Sequence, residues 1–188
     1  MPNKHEIIKE INDIPLAHDT VRKKYLKKLH EKTGRDTIVY ASNYLTWGPN
    51  LPPELISISP KDITQFMTAL QGLSGNSLDI IIHSPGGSLE GAEQIVNYLR
   101  SKYQNIRAII PCNAMSAATM VACACDEILM AKHSAIGPID PQIAITTEDG
   151  TVHVTPIQSI IDEFEQAKNE IKIDPRVTTL WIEKVKNY

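Results

Sequence analysis

Apolar positions along the 188-residue chain change period several times, and each change marks an element. From Ile7 to Ile14 and from Asp19 to Lys32 they recur at helical spacing, with Asp19 as N-cap of the second helix and Gly34 as its stop. Thr37-Ile-Val-Tyr-Ala-Ser is short and β-branched, which predicts a first strand. The Pro and Gly content of Trp47-Gly-Pro-Asn-Leu-Pro-Pro predicts a loop, and Pro60 opens a helix that carries Ile63, Phe66, Met67 and Leu70 on one face. A strand-turn-helix unit then occurs twice. Ser77-Leu-Asp-Ile-Ile-Ile-His leads through Ser84-Pro-Gly-Gly-Ser into a helix traced by Leu89, Ala92, Ile95, Val96 and Leu99. Ile106-Arg-Ala-Ile-Ile-Pro leads through Cys112-Asn-Ala-Met-Ser-Ala into a small-residue helix from Ala117 to Ala124, and Asp126-Glu-Ile-Leu-Met-Ala follows as a third strand. Strands alternating with helices imply right-handed βαβ crossovers and a buried parallel sheet, hence an α/β fold. Residues from Ile143 to Thr155 predict a hairpin turning at Glu148-Asp149-Gly150. Pro156 to Lys172 predicts an amphipathic helix with Ile157, Ile160, Ile161, Phe164 and Ile171 inward. Without a repeat, low-complexity run or linker, the expectation is one domain at 34–188, with amino-terminal helices at 1–33 packed on it.

Composition narrows the function classes. With 42% hydrophobic and 22% charged residues the chain is globular, and with 5% aromatics it lacks the stacking platforms of single-strand nucleic-acid binders. A net charge of -3 does not attract polyanions, so nucleic acid is not an expected partner. The basic face of Arg22, Lys23, Lys24, Lys27 and Lys28 reads either as a solvated helix face or as a dock for an acidic partner or membrane surface. The first reading fits the narrow apolar stripe better. Cys112, Cys123 and Cys125 are odd in number and lack ligand-spaced partners, which predicts small core thiols in a reducing compartment and no metal site. The opening Met1-Pro-Asn-Lys-His-Glu has no apolar leader, so the chain reads as cytoplasmic.

Chemistry concentrates at the two strand-to-helix turns, because a parallel sheet presents its ligand site at the carboxyl ends of its strands. Gly86-Gly87 permits backbone angles closed to other residues and leaves amide N–H groups uncovered, as an oxyanion site requires; the competing reading is an ordinary tight turn. A phosphate loop is disfavoured, since Gly-Lys-Ser/Thr is absent. Ser116 opens the small-residue helix, either as its N-cap or as a nucleophile with the Ala117 amide beside it.

Ser84-Pro-Gly-Gly87, Ala114-Met-Ser-Ala-Ala118, Ala124-Cys-Asp-Glu-Ile128 and Ser134-Ala-Ile-Gly-Pro-Ile-Asp-Pro-Gln142 together resemble the Clp protease/crotonase superfold. Within it the chain is most similar to the serine dehydrogenase proteinase family, related to the signal peptide peptidase A group. The similarity runs from about Asp19 to about Lys172, with turns that agree in order and spacing. It implies a spiral α/β fold of βαβ units, a ring-forming homo-oligomer, a peptide or protein substrate, Ser116 as nucleophile, and an oxyanion hole from the Gly87 and Ala117 amides. The dehydrogenase in the family name carries no weight as chemistry, because no pyridoxal or nicotinamide site is present, and no cofactor is expected.

The general base is less determined. Clp-like peptidases place a His about two dozen residues after the nucleophile, where this chain has Ile139-Asp140. Signal-peptide-peptidase-like members use a lysine roughly fifty residues downstream, a distance at which Lys168 stands. On local pattern alone Lys168 reads better as a solvated lysine beside Glu165 and Lys172. Lys172 is the second choice, and a neighbouring subunit or a tail beyond Tyr188 the third. His83 and His133 lie at strand ends, His153 in the hairpin, and His5, His18 and His30 in the amino-terminal helices; none is favoured as the base. Asp140 fits a turn better than an orienting carboxylate. The leading expectation is thus a serine endopeptidase, against a non-catalytic oligomeric scaffold or a crotonase-like acyl-CoA enzyme.

Overall fold

A computed structural model describes residues 3–13, 17–45, 52, 55–146, 150 and 152–185. The chain falls into two compact units, Met1–Pro138 and Ile139–Tyr188. In the first, helix α1 (Lys4–Asn12) is opened by a capping box between Asn3 and Glu6. Helix α2 (Ala17–Thr33) begins two residues ahead of the expected Asp19 cap, so Asp19 sits in the first turn and accepts a 3.0 Å bond from Arg22. Gly34, at φ 68°, ends α2 and donates its N–H to the His30 carbonyl at 2.7 Å. Much of the basic face is neutralised locally: Lys24 pairs with Glu10, Lys27 with Glu31, and the Lys28 ammonium lies 5.3 Å from the Tyr25 ring centre. The end of the first predicted helix at Ile14, the Trp47–Pro53 loop apart from Pro52, and the side chain of His18 lie outside the described residues.

Strands β1 (Asp36–Ala41), β2 (Ser77–His83) and β3 (Asn105–Ile110) form, with β5 (Glu127–Met130), a parallel sheet of order β1-β2-β3-β5. Each strand of this sheet pairs in parallel with the sheet's next strand in chain order, which requires a crossover between them. A second parallel pair, β4 (Asn113–Ala114) with β6 (Ala135–Ile136), lies beyond the ends of β2 and β3. Leu78, Ile80 and Ile82 of β2 and Ile106, Ala108 and Ile110 of β3 are almost wholly buried. They pack with Phe66 of α3 (Asp62–Ala69), with Leu70, and with Ile95 and Leu99 of α4 (Leu89–Lys102). Fully burying each large aliphatic side chain contributes roughly 1.5–3 kcal/mol, so this layer fixes the strand ends from which the site is built. Helix α3 starts at Asp62, two residues after the expected Pro60, and the Asp62 carboxylate accepts the Ser59 N–H at 2.8 Å and the Tyr40 hydroxyl at 3.0 Å. Burial and that carboxylate push the Tyr40 phenol well above its ordinary range.

One charge interrupts the apolar pattern of β2. Asp79 is fully buried and accepts bonds from Arg35 Nε at 2.5 Å, Arg107 Nε at 3.0 Å and Arg107 Nη2 at 2.7 Å, an arrangement that offsets its desolvation.

In the second unit β7 (Gln142–Thr146) and β8 (Val152–Pro156) make the expected antiparallel hairpin, although residues 147–149 of its turn and the His153 side chain lie outside the described residues. Helix α6 (Ile157–Ile173) departs from its predicted inward face: Ile157, Ile161 and Phe164 are exposed, and Ala167 is the buried position. The physical reason is the small size of its partner. Helix α7 (Thr178–Val185) places Trp181 over the carboxyl-terminal half of α6, where its indole N–H donates to Glu170 at 2.9 Å, and pairs Lys184 with Glu163 at 3.0 Å.

Candidate active site

The two turns singled out by sequence meet beyond the carboxyl ends of β2 and β3. Ser84 donates its N–H to the Asn113 carbonyl at 3.1 Å and accepts at its own carbonyl from Met115 N–H at 3.0 Å. The glycine turn is therefore laced to the segment that carries Ser116. Within the turn the buried Ser84 hydroxyl accepts the Gly86 N–H at 3.1 Å. On the other side Ile58 N–H donates to the Gly86 carbonyl at 2.7 Å, and the Ile58 carbonyl accepts from Ser88 N–H at 2.8 Å. Ser88 then caps α4 by accepting Gly91 N–H at 2.9 Å.

The close packing explains both glycines. At Gly86, φ 98°, a Cβ would stand 2.4 Å from the Met115 carbonyl oxygen and 2.6 Å from Ser116 Cβ. At Gly87, φ 149°, it would stand 2.2 Å from the Ile58 carbonyl oxygen. Any side chain would drive the turn away from Ser116 or from Ile58.

Ser116 is the one non-glycine residue with positive φ among those described, at φ 49° and ψ -122°. Such a conformation costs roughly 1–3 kcal/mol and persists only where the surroundings over-determine it. Ser116 stands at the N-cap position of α5 (Ala117–Cys123), as one of the two readings has it, but its hydroxyl makes no capping bond. The turn is closed by main chain instead, with Ala118 N–H on the Met115 carbonyl at 2.9 Å and Met120 N–H on the Ser116 carbonyl at 3.2 Å. Among the described residues no hydrogen bond engages the Ser116 hydroxyl or the amides of Gly87 and Ala117. Ala117, Ala118, Val121 and Ala122 are buried, and α5 packs against α4.

Four other contributors escaped sequence reasoning. Ile58 braces the glycine turn by main chain alone, Ser84 shapes it through a buried hydroxyl, and Thr119 and Gly137 support the Ser116 turn from beneath. Ser84 and Thr119 look like ordinary polar residues in the sequence, and nothing marks Ile58.

Lys168 and Lys172 belong to the second unit. Lys168 lies on α6 in the second unit, where its exposed ammonium pairs with Glu165 at 3.1 Å. It also lines an apolar cavity of about 530 Å³ with Phe164, Ala167, Ile171 and Trp181. Lys172 is exposed on the same helix. Among the histidines, His83 Nδ1 faces the Asn113 N–H at 3.5 Å with its ring 5.2 Å from that of Tyr44, and His30 is held by the Arg35 carbonyl at 2.7 Å. His5, His133 and Asp140 are exposed. Cys112 and Cys123 are exposed free thiols, a departure from the core role expected of them, while burial pushes the Cys125 thiol up to about 11. No cluster of three or more His, Cys, Asp or Glu side chains suited to a metal ion occurs among the described residues. No helix there is long and apolar enough to cross a membrane.

Sheet, crossovers and paired turns define a ClpP-like α/β protein. The chain belongs to the ClpP-like SDH-type serine proteinases, whose family model matches residues 18–183. It is 32% identical over 123 residues to the uncharacterized protein MJ0137 of Methanocaldococcus jannaschii, covering 65% of this chain and 43% of that one. It is 46% identical over 66 residues to the uncharacterized protein MJ1495 of the same organism, covering 35% and 23%. The chain thus spans less than half the length of either relative. Among solved structures, a mutant of the 1510-N membrane-bound stomatin-specific protease with a substrate peptide matches with TM-score 0.46 and 19% identity, over 69% of this chain and 56% of that one. The ClpP protease catalytic domain from Plasmodium falciparum matches with TM-score 0.40 and 16% identity, over 57% and 58%.

Proposed function

We propose that the chain is a serine endopeptidase in which Ser116 Oγ attacks the carbonyl carbon of a peptide bond. The carrying observation is the geometry at Ser116: a backbone held off the common basins, an unengaged hydroxyl, and the unengaged amides of Gly87 and Ala117 on the turns that meet there. These amides would receive the oxyanion that develops on attack, each worth on the order of 10²–10³ in rate at such sites. Lys168, as a neutral amine, would take the hydroxyl proton and return it to the leaving amine, after which water hydrolyses the acyl-enzyme. To do so it must leave Glu165 and lose its own proton. Lys172, or a lysine supplied by a second copy, is the alternative base. The substrate is a peptide or protein and the working form a homo-oligomer, a reading that family membership supports. Exposed free thiols at Cys112 and Cys123 suit a reducing cytoplasmic compartment.

A fluorophosphonate probe and a casein digest test the mechanism. Ser116→Ala is expected to abolish labelling and reduce hydrolysis on the order of 10⁶-fold, as loss of a serine nucleophile does elsewhere. Lys168→Met is expected to abolish hydrolysis while the protein stays folded. Full activity in Ser116→Ala would refute the mechanism; full activity in Lys168→Met would move the base to Lys172 or to a second copy. One observation favours a non-catalytic scaffold of the same fold, namely the solvent-exposed pairing of Lys168 with Glu165. Folded, oligomeric protein that the probe never labels would establish that reading.

A further inference from the structure

We propose that Thr119 is a positioning residue for Ser116, holding the turn in its reactive conformation through a buried hydroxyl. The proposal rests on the serine peptidase reading. Thr119 is 4% exposed and stands three residues after Ser116, in the first turn of α5. A threonine inside a helix ordinarily bonds a carbonyl three or four residues back. Here Oγ1 reaches five back, donating to the Ala114 carbonyl at 2.7 Å. The same oxygen accepts the Gly137 N–H at 3.1 Å, and that N–H also contacts the Ala114 carbonyl at 3.1 Å. Three groups from β4, α5 and the end of β6 thus close on one point beneath the serine. Gly137 adds to the clamp by contact. A Cβ there would lie 2.8 Å from Met115 Cε and 3.0 Å from Met115 Sδ, so the residue before the serine rests directly on it.

The consequence follows from the backbone at Ser116. Its φ and ψ lie outside the basins a serine prefers, and the arc from Ala114 to Thr119 would relax toward them unless both ends were held. Main-chain bonds from Ala118 and Met120 fix the helical end, those of Met115 to Ser84 and of Gly137 to Ala114 fix the strand end, and the only side-chain bond between the two ends of the arc among the described residues is that of Thr119. The Thr119 hydroxyl ties the two ends together. It touches neither substrate nor reacting atoms, and it acts through the direction in which Ser116 Oγ points.

Thr119→Ser and Thr119→Ala both delete the methyl group and differ only in the hydroxyl. In the full chain, the inactivation rate constant and the binding constant of a fluorophosphonate probe at Ser116 are read separately, beside the melting temperature. Thr119→Ser is expected to react at the wild-type rate. Thr119→Ala is expected to fold and to bind the probe unchanged, while its inactivation rate constant falls roughly 10²-fold, the usual consequence of displacing a reacting atom by about 1 Å. Equal rates in the two variants, a loss confined to probe binding, or failure of Thr119→Ala to fold while Thr119→Ser folds would each overturn the proposal. Wild-type protein that the probe does not label at Ser116 would instead refute the peptidase reading itself.

Discussion

Gly86→Ala tests the meeting of the two turns most directly. The added Cβ would lie 2.6 Å from Ser116 Cβ, against an optimal carbon separation of about 3.5 Å, so the turns must part by about 0.9 Å at Ser116. The 2.4 Å approach to the Met115 carbonyl oxygen demands a similar retreat. The glycine turn has little room to give, because the Gly86 carbonyl is bonded to Ile58 N–H and the flanking Ser84 is bonded to Asn113 and Met115. Ser116 must therefore absorb most of the shift, and a displacement near 1 Å lowers reactivity roughly 10²-fold. Stability falls as well. Overpacking costs roughly 1–3 kcal/mol, and an L side chain at positive φ adds roughly 1–2 kcal/mol. Together these predict a urea midpoint lowered by an amount equivalent to about 2–5 kcal/mol. Probe labelling at Ser116, normalised to the folded fraction from circular dichroism, reads the first effect and urea titration the second. A variant that labels at the wild-type rate and melts with the wild type would refute the account of how the site is held.

Other outcomes follow from the same contacts. Asp79→Ala strands two arginines against a buried strand and is expected to destabilise the protein by about 3–5 kcal/mol in urea titration; a change below about 0.5 kcal/mol would show that the pair is not truly desolvated. Burial raises the Cys125 thiol to about 11, so at pH 8 iodoacetamide should modify Cys112 and Cys123 far sooner, and peptide mapping that finds Cys125 first would contradict its placement. The sign for stability follows from the same shift. The fold favours the neutral thiol, so its contribution is complete below the unfolded value of about 8.5 and is lost as pH rises toward 11, which alkaline urea titrations of wild type against Cys125→Ala would show.

The sequence disclosed those parts of the molecule that rest on side-chain pattern. The β2 and β3 runs are apolar and short, the glycine pair follows β2 at once, and Ser116 precedes a run of small residues, so sheet, turns and the candidate serine could be read in order. What escaped is what main chain or a single polar atom accomplishes. Strands β4 and β6 are two residues each, too short for a period to register. Asp79 broke the apolar pattern of β2 without announcing its two arginine partners, which come from positions 44 and 28 residues away in sequence. That Ser116 takes the N-cap position without a capping bond goes with a backbone conformation that residue type does not encode. Helix α6 shows the opposite limit, since its amphipathic stripe is real but its partner α7 is too short to cover Ile157, Ile161 and Phe164.

Ile58 carries a consequence for how this scaffold tolerates change. Its hold on the glycine turn uses only its amide and carbonyl, so exchanging its side chain for another aliphatic one leaves both bonds intact. An alanine scan would report the loss of a buried core side chain there, not the two main-chain bonds. Proline there would delete the N–H that grips Gly86 and would read as a lesion in the turn 28 residues further along the chain. The machinery around Ser116 thus includes parts that only backbone substitution exposes.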